Sequence, residues 1–234
     1  MHQLLLAIGL AGLLAAAPAR AALVDPGAFT PAGPAITFGT AADIGTSNPS
    51  YVVGGVTVAF GGYFAGQTLD AGFPPLLSGA PSVPLALAGT AAIAEDLAAP
   101  GSPVLVGTSD GWGGYSPIAV LFSAGVNAVA FALGELDEVG GVRIEAFGAD
   151  GTSLGTLDSA GTGFQTIRFG DSSGNPIRGF TVSLTNDPLE LAFGIDDLTF
   201  AGERVVTVPV PGGLLLLGLG LAGLVVARRR RAGG

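Results

Sequence analysis

The sequence contains no cysteine and no lysine, and its one histidine is His2. Without cysteine there are no disulfides, no thiol nucleophile and no thiolate metal site. Once a leader ending near Ala21 is removed, histidine is gone as well, which excludes Ser-His-Asp and Cys-His catalysis and histidine-bearing zinc sites. Charge is scarce at 12% of residues, and all nine basic residues are arginine. Five of these stand at the ends: Arg20, and Arg228 to Arg231. That leaves Arg143, Arg168, Arg178 and Arg204 against all 18 acidic residues, so the middle of the chain carries 4 − 18 = −14. A domain so acidic repels nucleic acid and anionic membrane surfaces and attracts cations. What is plentiful is glycine (40) and proline (16) in a chain that is 49% hydrophobic, the composition of one ordinary domain rich in turns plus membrane-directed segments.

Leu4 to Ala17 is an apolar run of 14 residues. It is short for a bilayer span but suits the core of an export signal, and Ala19-Arg20-Ala21 follows as a small-x-small cleavage site. Residues 1–21 are therefore expected to be a signal peptide removed by signal peptidase. At the other end, residues 212–227 contain seven Leu, two Val, two Ala and five Gly and no polar side chain. Counted from Val208 the run reaches about 20 residues, the length a transmembrane helix needs. Arg228, Arg229, Arg230 and Arg231 would stay cytoplasmic, with residues 228–234 as the tail and the acidic domain outside. Pro209 and Pro211 lack amide hydrogens, so the helix can start only after them. Residues 204–211 read as a linker ending in the boundary motif Val208, Pro209, Val210, Pro211.

That order of parts resembles the PEP-CTERM and VPLPA-CTERM sorting tails of Gram-negative bacteria, a region also known as an ice-binding-protein C-terminal domain. Val210 and Gly212 stand where the named consensus forms carry Glu or Leu and then Ala or Ser. The resemblance implies an exosortase-like membrane cysteine peptidase as partner. It further implies an inner-membrane precursor and final display at the cell surface or in the extracellular matrix, the setting of exopolysaccharide. A plain single-pass anchor is the alternative.

Between the two signals the pattern is that of strands. Phe180-Thr-Val-Ser-Leu-Thr185 alternates strictly, and Val142 to Ala146 does the same before an Asp150-Gly151 turn and a return strand at Ser153 to Leu157. Further strands are expected at Ala35–Phe38, Val52–Phe60, Val104–Val106, Ile118–Phe122, Ala128–Leu133, Phe164–Phe169 and Leu191–Phe200. Only Thr90 to Leu97 has the makings of a short helix, stopped at Pro100. Leu69 to Pro103, with six prolines, is expected to be a surface excursion. Residues 22–203 thus read as an all-β domain, a jelly-roll-like β-sandwich, with a barrel as the alternative.

Three chemistries remain open to such a domain. Two carboxylates at the right separation can hydrolyse a glycoside; nothing singles out such a pair, and the chain is expected not to be an enzyme. Asp110, Trp112 and Tyr115 lie in the glycine-flexed stretch Ser109-Asp-Gly-Trp-Gly-Gly-Tyr115, where an indole face could stack on a sugar beside a carboxylate. The plainer reading is a Trp plugging the end of the sandwich. In the last strand Leu191, Phe193 and Ile195 share one parity and Leu198 and Phe200 the other, so a β-bulge is expected at Asp196 and Asp197. Two acids beside a bulge could offer oxygens to a structural Ca²⁺; the competing reading is an edge strand whose acids face water.

Overall fold

The computed structural model describes residues 23–39, 41–96, 102–109, 114–171, 175–185 and 192–202. The chain divides into two units, Met1–Glu203 and Arg204–Gly234, and all the described residues lie in the first. In chain order the strands are β1 (Leu23–Val24), β2 (Ser50–Val53), β3 (Val56–Gly61), β4 (Tyr63–Phe64), β5 (Thr68–Leu69), β6 (Leu77–Ser78), β7 (Leu87–Ala88) and β8 (Ala91–Glu95). They continue with β9 (Pro103–Gly107), β10 (Ile118–Leu136), β11 (Val142–Phe147), β12 (Ser153–Asp158), β13 (Gly163–Asp171), β14 (Ile177–Leu184) and β15 (Gly194–Gly202). A single 3-10 turn at Ala41–Asp43 is the helical element among the described residues.

β10 organises the fold. It runs for 19 residues where two separate strands, Ile118–Phe122 and Ala128–Leu133, were expected, because the residues between them stay extended. Its first part pairs with β14 and β3, and its second part with β13 and β15. β10 is buried along most of its length, and its apolar residues accordingly run nearly without interruption rather than alternating, as in strands covered on both faces. At the junction the register against β14 jumps from Leu121↔Gly179 to Val126↔Ile177, leaving extra residues on β10 that bend it. Phe180 registers with Val120, yet its ring stacks on Phe131 at 5.4 Å. On a straight strand Val120 and Phe131 would be roughly 36 Å apart, so β10 must fold back on itself.

The result is one continuous 11-stranded sheet, all antiparallel in its pairings, doubled over so that its two faces enclose the core. This is the sandwich-like arrangement expected, with the difference that one shared strand, rather than two separate sheets, makes both faces. Such corners form where a strand switches sheets through a bend. The core is aromatic. Phe122, Phe131, Phe169, Phe180 and Phe200 are all buried and meet at centroid distances of 5.3–6.3 Å, separations at which aromatic pairs add to simple area burial.

Three expectations need correction. The helix expected at Thr90–Leu97 is replaced by a strand: residues 91–95 are β8, paired with β9 from Ala91↔Gly107 to Glu95↔Pro103, because Ala91 and Ile93 are buried in the core. The segment Leu69–Pro103 is correspondingly not all surface excursion. Among its described residues the first part is, where β5–β6 forms a small ladder and β7 pairs with β4, both off the main sheet. Val52–Phe60 is two strands, since Gly54 (φ 58°) and Gly55 (φ 80°) supply the pair of left-handed residues that a tight hairpin turn requires. The Asp150-Gly151 turn is present as expected, with Gly151 at φ 73° and the Asp150 carboxylate accepting the Thr152 N–H at 3.1 Å. Ala35–Phe38 makes one bridge, Ile36↔Leu198.

Candidate functional site

Asp196 and Asp197 sit at the expected bulge. Along β10 the partners step from Ala130 to Ala132, while along β15 they step from Thr199 to Asp196, one residue too many on β15. Asp197 takes up the surplus in a left-handed conformation, φ 53°, which aspartate tolerates better than most residues. β15 is not an edge strand: β10 lies on one side, and Leu105 of β9 pairs with Ile195 on the other. The edge-strand reading of the acid pair therefore falls.

A second bulge lies opposite. Against β13, β10 steps from Leu133 to Leu136 while its partners step from Gln165 to Gly163, and Glu135 adopts φ 63°. The two bulges converge on one pocket lined by Asp96, Val104, Gly134, Glu135, Phe164 and Asp196, among others. Phe164 is 62% exposed and lies over Gly134, where any Cβ would meet its ring. Burial is the main reason that the Asp196 carboxyl is pushed up from the usual range, with Asp197 and Asp96 adding repulsion against the N–H groups of Asp197 and Phe38 that favour its charged form. Burial likewise raises Glu135, helped by Asp96 and Asp137. Asp196 Oδ1 accepts the Asp197 N–H at 2.8 Å, so this carboxylate already braces its own bulge.

The cavity volume is about 20 Å³, close to what one water needs and far below the several hundred Å³ that enclose an organic ligand. It offers a carboxylate glycosidase no cleft for a pyranose ring. Nor do the described residues contain a group of three or more His, Cys, Asp or Glu able to hold a metal. A calcium at Asp196 and Asp197 would have to draw its remaining oxygens from the main chain or water.

Of the three candidates for sugar contact, Asp110 and Trp112 lie outside the described residues. Tyr115 is half-buried and well anchored: the Gly114 N–H donates to the Gly107 carbonyl at 3.0 Å, and the Phe193 N–H donates to the Gly114 carbonyl at 3.1 Å. Its ring meets one that sequence reasoning passed over, Phe73, at 5.0 Å and a 46° tilt. Phe73 occupies the tip of the β5–β6 hairpin and is 64% exposed. The tip is tied together by Asp70, whose carboxylate accepts the N–H groups of Gly72 at 3.1 Å and Leu76 at 2.9 Å. A large ring held out in water on a braced turn is the only signal that could have marked Phe73, and it is not a feature of the linear sequence.

The sorting motif Val208, Pro209, Val210 and Pro211, the apolar run 212–227 and Arg228 to Arg231 also lie outside the described residues, as does the leader 1–21. Residues 207–231 match the PEP-CTERM protein-sorting motif. Such a motif indicates export and membrane passage in a Gram-negative bacterium, with processing at the C-terminal side. No curated protein matches the chain.

Among solved structures, two variants of a family 29 carbohydrate-binding module, CBM29-2, are 13% identical, each with a TM-score of 0.30. The first aligns over 71% of this chain and 99% of its own, the second over 70% and 98%. A glycoside hydrolase family 43 arabinoxylan arabinofuranohydrolase from Bacillus subtilis, solved with cellotetraose, is 15% identical over 68% of this chain and 41% of its own, with a TM-score of 0.32. Likenesses this distant carry no argument about function.

Proposed function

We propose that the chain is an exported, non-catalytic protein that reaches the membrane with a cleavable leader and waits there as a precursor held by residues 212–227. An exosortase-like peptidase acting at Val208–Pro211 then passes it to the cell surface or extracellular matrix. The observation that supports this reading is the PEP-CTERM sorting motif at residues 207–231. A domain of net charge −15 (3 − 18 over residues 22–203) without cysteine or, once the leader is gone, histidine suits display better than catalysis. The four terminal arginines would fix the topology, because nothing else in the tail carries charge to hold its end in the cytoplasm. Neutralising Arg228 to Arg231 should misorient the tail or weaken its retention in a protease-protection assay; unchanged topology would count against the assignment.

A second reading concerns what the displayed domain does, and the Phe73–Tyr115 pair favours it. Two aromatic rings on anchored backbone, one of them mostly exposed, form a surface on which the apolar face of a sugar can lie. We infer that the domain binds extracellular polysaccharide there. Tyr115→Ala should weaken retention on the polysaccharide of the producing organism about tenfold without shifting the melting temperature by more than a few degrees. Retention unaffected by the loss of both rings would sink this reading.

A further inference from the structure

The hairpin that presents Phe73 and the segment that presents Tyr115 both come from a long stretch without one basic residue. Between Arg20 and Arg143 the sequence has no Arg, Lys or His, yet it holds nine acidic residues between Asp25 and Glu138. The arginines of the described residues belong to other strands. Arg143 on β11 is ion-paired with Asp158 at 2.7 Å, Arg178 on β14 donates to the Ser123 carbonyl at 2.6 Å, and Arg168 on β13 registers with Ala130 of β10. Neither β5–β6 nor the chain from β9 to the start of β10 carries a positive charge. An anionic polymer approaching the ring pair would therefore meet repulsion and no compensating cation, whereas an uncharged one pays no such penalty.

The ring pair itself selects in the same direction. Phe73 supplies only an apolar face, and the Oδ1 atom of the carboxylate next to it in the hairpin tip, Asp70, is engaged by the N–H groups of Gly72 and Leu76. Tyr115 adds an aromatic face and one hydroxyl that can donate and accept. Stacking on C–H faces plus a neutral hydroxyl is a recognition set for a sugar without charged substituents. We propose that the Phe73–Tyr115 platform binds a neutral glycan chain, one free of carboxylate, phosphate and sulfate groups, and that Phe73 is one of its contact residues. This rests on the glycan-binding reading above and adds the ligand class to it.

The test is affinity electrophoresis of the full chain in mild detergent, in gels containing either a panel of neutral glucans, mannans and xylans or polygalacturonate. Chelator is present throughout, so that calcium cannot bridge carboxylates. The expected result is retardation by a neutral polymer and none by polygalacturonate. Phe73→Ala and Tyr115→Ala should each weaken binding about tenfold, the equivalent of one aromatic contact. Tyr115→Phe, which keeps the ring and cannot disturb the packing, should retain most of the binding. Retardation by polygalacturonate as strong as by any neutral polymer would overturn the ligand class and leave the glycan reading standing. Retardation by neither would overturn the glycan reading itself. Neutral-polymer binding that survives both alanine substitutions would remove the platform.

Discussion

Asp196 shows how one side chain can serve a bulge at some cost to itself. It is half-buried, it braces the turn of its own backbone, and its carboxyl is raised chiefly by burial. A carboxyl raised in the folded state takes up its proton more readily there than in the unfolded chain. Its stabilising contribution is therefore complete below the unfolded value, about 3.9, and is lost as pH rises through the raised folded value. Glu135 works in the same direction. Asp196→Asn keeps an oxygen to accept the Asp197 N–H and removes the charge. Its melting temperature at pH 7 should accordingly equal or exceed that of the parent, with a flatter dependence on pH from about 3.9 upward. A lower melting temperature with the pH dependence intact would show that the charge itself is needed. The same melts in calcium and in chelator test the ion expected at this pair. A calcium-dependent rise that Asp196→Asn abolishes would establish it, and superimposed curves would dismiss it. In the core, Phe180 touches Phe122, Phe131 and Phe169, so Phe180→Ala should cost about 3–5 kcal/mol, a large share of the roughly 5–15 kcal/mol that holds a domain together. Chemical denaturation would measure it.

At the scale of elements, the doubled sheet depends on close approach where β10 meets β14. A Cβ at Gly179 would stand 2.6 Å from the Phe64 ring and 2.7 Å from the Val120 carbonyl oxygen. The ring can shift but the backbone of β10 cannot, so Gly179→Ala should destabilise by roughly 1–3 kcal/mol. Gly202 has open space around it and makes a fair control. The bulge at Asp196–Asp197 was legible because its cause is a parity change among Leu191, Phe193, Ile195, Leu198 and Phe200, and side-chain alternation is a rigid property of strands. The Thr90–Leu97 segment was misread because alanine favours a helix in isolation, while burial of Ala91 and Ile93 beside β9 decides the matter in the fold. The single long β10 was illegible for a related reason: residues 123–125 have no ladder partner of their own, and the strand is continuous there because the segments on either side pair with strands far away in sequence.

At the scale of the whole molecule, the sorting motif at residues 207–231 was open to reading because membranes impose length, hydropathy and charge rules on contiguous sequence. The platform was only half open. Tyr115 stands in a stretch rich in aromatics and glycine, but Phe73 reaches it through the β5–β6 hairpin, and nothing in the linear sequence announces that encounter. The doubled sheet was likewise hidden, since the bend in β10 follows from register shifts rather than from composition. Function at this scale turns on whether the chain is processed after Gly202, the end of its last strand. The direct measurement is to express the chain and its Pro209→Ala, Pro211→Ala double variant in a Gram-negative host that processes such tails. Size and location are then compared by immunoblot of membrane and extracellular fractions. The account predicts a shortened, extracellular parent and a larger, membrane-retained double variant. Identical size and membrane retention for both would mean that the tail is a plain anchor and would contradict it.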